Sequence, residues 1–148
     1  MPAVNPNFSE DVVEIEQRLR QIAGVVRRKG RQLLEQYGIT SPQFDALVIL
    51  NRDGDLTIGD LTSRLFSAYS TTTDLVDRLE RAEFVARYRD LEDRRVVRVR
   101  LQSLGANLIE EVLDARRAYL DSVLLSLDIQ QKREILRVLE LLTDKMSD

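Results

Sequence analysis

The hydrophobic pattern of this 148-residue chain changes period in its central third, from helical to extended and back. From Thr57 to about Ala82 the apolar residues recur at helical spacing. Residues 84–89 and 97–101 instead alternate apolar and polar side chains, as β-strands do. Both flanks of this segment return to a helical period. Few folds place two short helices directly before a pair of short strands within such a stretch.

The two short helices have the spacing of a helix-turn-helix. The first is predicted from Thr57 through Phe66, and residues 67–70 form the turn. The second is predicted from Ser70 to Ala82, with Leu75 and its neighbours Val76 and Leu79 turned inward. Its outer face is polar and carries Thr71, Thr72, Asp74, Asp77, Arg78 and Arg81.

The two strands form a strongly basic hairpin, joined by a polar tip at residues 90–95. From Ala86 to Leu101 there are six arginines against three carboxylates, so this segment is +3 in a chain whose net charge is −3. Basic charge is thus concentrated where a nucleic-acid contact needs it. The sequence predicts a mainly α protein with a small β-hairpin wing, a winged helix-turn-helix, with DNA binding as the leading hypothesis.

Long amphipathic helices flank this segment on both sides. We predict a single domain over residues 1–148, with a DNA-binding lobe at about 40–102 and dimerisation helices at about 9–37 and 103–146. Their apolar stripes exceed what one small domain can cover, which favours a homodimer with a twofold interface. Such a dimer presents two recognition helices to the half-sites of a pseudo-palindromic duplex.

Composition excludes several kinds of chemistry. The chain has no cysteine and no histidine, which removes thiol catalysis and the commonest zinc and copper ligands. It also lacks a glycine-rich phosphate loop, so we predict no enzyme activity, no catalytic residue, no metal and no cofactor. No apolar run has the length of a membrane span. A soluble, cytoplasmic protein without a membrane partner is expected.

The chain resembles the MarR family of winged-helix transcriptional regulators over nearly its full length. The wing carries the resemblance: the family shows Asp-x-Arg, five residues and then Leu-Thr-x-x-Gly, and this chain has Asp93-Arg94-Arg95 and then Leu101-Gln102-Ser103-Leu104-Gly105. Gln102 departs from the pattern. The resemblance implies an obligate homodimer joined by its terminal helices, with the recognition helix in the major groove. It also implies that Arg95 enters the minor groove and that Asp93 braces it.

Candidate DNA contacts lie on two elements. In the recognition helix they are Ser70, Thr71, Thr72, Thr73 and Arg78, and in the wing they are Asp93, Arg94, Arg95 and Arg98. The alternatives are ordinary helix capping by the hydroxyls and pairing of the arginines with the wing's own acids. Arg87 and Arg89 either reach phosphates or brace the wing. Asp74 either repels phosphate or accepts a hydrogen bond from a cytosine amino group.

The resemblance further implies a repressor released by a small anionic or aromatic effector, bound between the dimerisation helices and the DNA-binding lobe. Candidate residues for that pocket are Arg18, Arg27, Arg28 and Tyr37, for which surface or dimer salt bridges are the alternative. The rival function is a winged-helix module that binds a protein partner without operator binding. It predicts that the contact surface is apolar rather than rich in arginine.

Overall fold

The computed structural model describes residues 7–147. In chain order its elements are α1 (Glu10–Gln36), α2 (Ser41–Asp53), β1 (Leu56–Thr57), α3 (Ile58–Leu65), α4 (Tyr69–Arg81), β2 (Val85–Arg89), β3 (Val97–Leu101), α5 (Ser103–Leu124) and α6 (Ile129–Met146). This order confirms the predicted mainly α winged helix-turn-helix. The chain divides into two compact units, one ending at Val112 and the other beginning at Leu113.

Local side-chain chemistry sets the helix ends. The Ser9 hydroxyl accepts a hydrogen bond from the Val12 amide, which caps α1. Thr40 and Asp128 begin α2 and α6 with capping boxes, in which the glutamine three residues later bonds back to the cap. Gly38 follows α1 with φ +66, a conformation that glycine adopts without strain. The bounds of α1 agree with the dimerisation helix predicted at about 9–37.

The wing belongs to a three-stranded antiparallel sheet with the order β1-β3-β2. Leu56 and Thr57 of β1 pair with Val99 and Arg98, a strand that the predicted two-stranded hairpin missed. Two residues are too few to show an alternating pattern, so β1 is defined by its pairing rather than by its own sequence. The extra strand ties the start of the helix-turn-helix directly to the wing.

The core lies in the unit that ends at Val112, where α2, α3, α4, the sheet and the start of α5 converge. The side chains there without exposed surface include Ala46, Leu47, Leu61, Val76, Val99 and Val112. Gly105, in the first turns of α5, lies so close to β2 that a Cβ on it would overlap the Phe84 carbonyl oxygen. The last residue of the wing motif is therefore a glycine for steric reasons.

The long helices keep much apolar surface exposed. α6 has no buried residue. Its exposed apolar side chains include Ile135, Leu136, Val138, Leu139 and Leu141, and those of α1 include Val12, Ile15, Ile22, Val25 and Val26. Within residues 7–147, no helix combines the length and the apolarity that crossing a bilayer requires.

Candidate nucleic-acid interface

The recognition helix α4 buries one continuous stripe against the core. Thr72, Leu75, Val76 and Leu79 follow one another at helical spacing on that stripe. Thr72 has an exposed fraction of 0%, and its Oγ1 donates to the Ala68 carbonyl at 3.2 Å. The prediction that Thr72 lies outside and contacts DNA is therefore wrong. Its methyl group suits the core, and the backbone satisfies its hydroxyl.

The opposite face of α4 is polar and accessible. Ser70, Thr71, Asp74 and Arg78 are all at least partly exposed on it. Thr73 is half-buried, and its Oγ1 donates to the Tyr69 carbonyl at 3.0 Å. The residue at the N-cap position is Ala68, which forms no side-chain cap, so the first amides of α4 have no side-chain acceptor there.

Two aromatic residues next to this face were not among the predicted contacts. Tyr69 is the first residue of α4, whereas the sequence placed it in the turn, and it is 61% exposed. Phe66 ends α3 and is 97% exposed. Tyr69 was placed in the turn and Phe66 at the end of the preceding helix, where hydrophobic periodicity gives no signal for a contact.

Asp90 organises the tip of the wing. Its Oδ1 accepts the backbone amides of Glu92 at 2.8 Å and Asp93 at 3.3 Å, and its Oδ2 accepts Arg98 Nε at 2.6 Å. The Arg98 bond, followed by the two amides, holds the pKa of Asp90 below its ordinary value. The tip is thus an ordered turn built on one carboxylate.

The Arg95 side chain projects from this tip, and Asp93 binds its backbone amide and its Nε. Its side chain is 91% exposed, and its Nε and backbone amide both donate to Asp93 Oδ1 at 3.1 Å. The Arg95 side chain is also the main reason why the pKa of Asp93 is lowered. Arg94 is exposed beside it, and its carbonyl accepts Arg89 Nη1 at 3.0 Å. The wing therefore presents two adjacent guanidinium groups on an ordered support.

The strand arginines are engaged within the wing itself. Arg98 is held by Asp90 and its side chain stays 35% exposed, so its contact with DNA remains a prediction. Arg100 Nε donates to Asp55 Oδ2 at 3.0 Å and its guanidinium lies 4.4 Å from the centre of the Tyr88 ring. The Tyr88 hydroxyl donates to the same carboxylate. This cluster joins the residue before β1 to both wing strands.

Arg87 connects the wing to the recognition helix. Its Nη2 lies 2.6 Å from Asp77 Oδ1 and its Nη1 lies 3.0 Å from Glu80 Oε1, and its backbone amide donates to Glu80 Oε2 at 2.8 Å. The Arg87 side chain is only 24% exposed. Of the two roles left open by the sequence, the structure favours bracing. The sequence placed Asp77 on the polar outer face of the recognition helix without a partner, because that partner lies in a different element.

The predicted effector residues do not converge in one protomer. Arg18 pairs with Glu14 on the exposed surface of α1, and Arg27 and Arg28 are also exposed. The Tyr37 hydroxyl donates to the Glu111 carbonyl at 3.4 Å. At 1.5 Å per helical residue, Arg18 and Tyr37 are separated by about 28 Å along α1. Arg18 and Tyr37 therefore cannot line the same pocket of one protomer.

Comparison with known proteins agrees with this architecture. A sequence profile of the MarR family matches residues 39–97. The HTH-type transcriptional regulator YsmB of Bacillus subtilis is 49% identical over 111 residues, which cover 75% of this chain and 76% of YsmB. The chain belongs to the MarR family. The HTH-type transcriptional repressor MdtR of the same species is 30% identical over 71% of this chain and 68% of its own.

The likeness to MarR proteins extends to the whole fold. A MarR family protein from Bacillus stearothermophilus superposes with a TM-score of 0.83 and 43% sequence identity, covering 99% of this chain and 100% of its own. The chain is therefore a MarR-family helix-turn-helix transcriptional regulator and not an enzyme. MarR regulators bind DNA and act as dimers.

Proposed function

We propose that this chain, as a homodimer, binds a pseudo-palindromic DNA operator and represses transcription from it. The main support for the proposal is that one lobe carries two accessible surfaces, one on α4 and one on the wing, and that a salt-bridge cluster connects them. The polar face of α4 and the arginine tip of the wing are joined by Arg87, whose guanidinium binds two carboxylates of α4. A rigid connection fixes the distance between a major-groove element and a minor-groove element.

Each surface suits one feature of duplex DNA. In α4, Ser70, Thr71 and Thr73 lie at the leading end, where hydroxyls and free amides bind phosphate and base edges. Arg78 follows about two turns later and reaches the flanking backbone. In the wing, Arg94 and Arg95 carry the positive charge that a narrow, electronegative minor groove attracts. Asp93 orients Arg95 for that contact.

The dimer is supported by the uncovered apolar surface of the terminal helices. α6 buries no residue, and exposed valine and isoleucine side chains run along α1. Surfaces of this kind are covered in stable proteins, because contiguous exposed apolar area favours association. We assign the dimerisation role to residues 9–37 and 103–146, and DNA binding to residues 40–102.

We expect the bound dimer to repress transcription by occupying the operator. A dimer that reads two half-sites covers about two turns of the duplex, which excludes polymerase from an overlapping promoter. MdtR, the relative described as a repressor, supports this mode. A promoter–reporter fusion tests it: deletion of the regulator is expected to raise expression, and a fall in expression would indicate activation instead.

Release by an anionic aromatic effector completes the proposal. A groove of about 360 Å³ lies between the end of α1 and the start of α2 and is lined by Arg31, Leu34, Ile39, Pro42 and neighbouring residues. Its lining combines the Arg31 guanidinium and apolar side chains with the hydroxyls of Thr40 and Ser41 and with one carboxylate, Glu35. We assign the carboxylate of an aromatic ligand to Arg31 and its ring to the apolar side chains. Benzoate is expected to weaken operator binding by the wild type but not by Arg31→Ala. Equal weakening of both proteins would contradict this site.

The experiment that tests operator binding is selection of bound duplexes from fragmented genomic DNA. The wild type is compared with Arg94→Ala/Arg95→Ala and with a charge-matched control, Arg52→Ala/Arg64→Ala, which also removes two arginines with exposed side chains but lies outside α1, α4 and the wing. We expect the wild type and the control to enrich an inverted repeat and the wing variant to lose it. No enrichment by the wild type would contradict the proposal and favour the protein-partner module.

A further inference from the structure

Two exposed aromatic rings lie at the leading end of the recognition helix. Tyr69, the first residue of α4, is 61% exposed, and Phe66, three residues earlier, is 97% exposed. Three Cα–Cα steps separate them, so their Cα atoms lie within about 11 Å of each other. Both rings are therefore exposed close to the start of α4. We call Phe66 and Tyr69 the aromatic pair.

The backbone of Phe66 gives an independent reason to look for a function. Its φ of 51 and ψ of 41 lie in the left-handed region, where any residue with a Cβ is strained and glycine is not. Glycine would therefore end α3 at lower energy, and solvent exposure gives the phenyl ring no compensating burial. Strained positions of this kind concentrate at functional sites. The ring is therefore better explained by an external contact than by folding.

The first turn of α4 restricts what such a contact can be. N-terminal residues of a recognition helix are the ones that reach base edges in the major groove. Here they are Tyr69, Ser70 and Thr71, and none of them carries the bidentate donors that read guanine or the amide that reads adenine. Arg78 lies about 13 Å further along the helix. The major-groove feature that an apolar ring recognises is the C5-methyl group of thymine.

We propose that the aromatic pair contacts thymine methyl groups at the leading end of each recognition helix, which makes it a determinant of specificity for A·T base pairs in each half-site. This inference rests on the proposed operator binding and names the bases that the first turn of α4 reads. The rings provide the apolar surface, while Ser70 and Thr71 beside them hydrogen-bond to phosphate or to either base.

Replacing thymine by uracil tests the proposal, because uracil lacks only the methyl group. The duplex recovered by genomic selection is synthesised with thymidine and with deoxyuridine, and its affinity for each protein is measured at one salt concentration. The wild type is expected to bind the thymine duplex roughly 3- to 10-fold more tightly per half-site, as expected for burial of one or two methyl groups. Phe66→Ala/Tyr69→Ala is expected to bind both duplexes equally.

Two further variants separate the ring from other effects. Tyr69→Phe keeps the ring and is expected to retain the preference for thymine, because in the proposal the ring and not the hydroxyl contacts the methyl group. Leu91→Ala removes a wing side chain that is 96% exposed and is expected to leave the preference unchanged. Circular dichroism checks that each variant is folded, and because all three positions are exposed no loss of structure is expected.

Failure of this inference differs from failure of operator binding. Specific binding by the wild type with equal affinity for thymine and uracil duplexes would overturn the aromatic contact alone. A preference for thymine that survives in Phe66→Ala/Tyr69→Ala would also overturn it. If the wild type binds no duplex specifically, the proposed function is contradicted and this inference falls with it.

Discussion

At the tip of the wing, one carboxylate holds together the turn that carries the exposed arginines. Asp90 accepts hydrogen bonds from the Arg98 guanidinium and from two backbone amides, and these bonds lower its pKa in the folded protein. These bonds therefore stabilise the tip at neutral pH and are lost as the pH falls through that lowered pKa, below the ordinary aspartate value of about 3.9.

We expect the protection of the Glu92 and Asp93 amides, taken relative to an unfolded chain at the same pH, to hold until the pH falls below about 4 and to drop in stronger acid. NMR hydrogen exchange measures this. In Asp90→Ala the same amides are expected to exchange quickly already at neutral pH. Protection that is unchanged in Asp90→Ala would show that Asp90 does not order the tip.

Gly105 is the residue of the wing motif whose role is steric. A Cβ there would overlap the Phe84 carbonyl, which is backbone and cannot rotate away. Gly105→Ala is expected to lower the free energy of unfolding by about 1–3 kcal/mol, as overpacking does. Urea unfolding measures it. Gly59→Ala is the control, since a Cβ at this helical glycine meets no atom closer than 3.9 Å, and it is expected to stabilise the protein slightly.

At the scale of elements, Arg87 makes the wing and the recognition helix a single body. Arg87→Ala removes the guanidinium from Asp77 and Glu80 and leaves Glu80 only the backbone amide of residue 87, so it is expected to cost about 1–3 kcal/mol of stability and to weaken operator binding. Arg87→Lys keeps the charge but cannot bridge both acids, and it is expected to rescue only part of the loss.

The salt dependence of binding distinguishes this brace from a DNA contact. Because Arg87 touches no phosphate in the proposed complex, Arg87→Ala is expected to keep the wild-type slope of log affinity against log salt. A slope reduced by about one unit would instead assign Arg87 a phosphate contact.

Helices and strands were predictable from the sequence where neighbouring residues determine them. They were missed where residues distant in the chain determine them. The predicted bounds of α1, at about 9–37, were correct because the cap at Ser9 and the glycine at Gly38 act within one turn of the helix ends. β1 was missed because only its pairing with β3 defines it. At the candidate site, the wing arginines were visible as a run of charge. The sequence did not show that Arg100 and Arg87 form salt bridges within the protein, because their partners Asp55 and Asp77 lie outside the hairpin.

Thr72 of α4 shows that residue polarity can give the wrong prediction of burial. Thr72 was placed with its polar neighbours Thr71 and Thr73 because residue type alone does not separate the faces of a helix. Its position in register with Leu75, Val76 and Leu79 decides its burial. The period of the buried stripe is a better guide here than polarity.

At the scale of the whole molecule, the exposed apolar surface of α6 requires a partner surface. Leu139 is exposed and lies in the middle of this helix. Leu139→Glu is expected to shift the protein from dimer to monomer and to abolish high-affinity operator binding, since each half-site alone is bound weakly. Sedimentation velocity measures the first effect. Gln130→Glu, at the start of α6, is the control and is expected to remain dimeric.

The central claim is that the wing and α4 together bind duplex DNA through charge and shape. Its most direct test is the affinity for the recovered inverted repeat across a salt series, for the wild type, Arg94→Ala/Arg95→Ala and Arg52→Ala/Arg64→Ala. We predict a steep fall with salt for the wild type and for Arg52→Ala/Arg64→Ala. For the wing variant we predict a slope shallower by roughly one unit for each phosphate that it no longer binds. Equal affinities and slopes for all three proteins would contradict the claim.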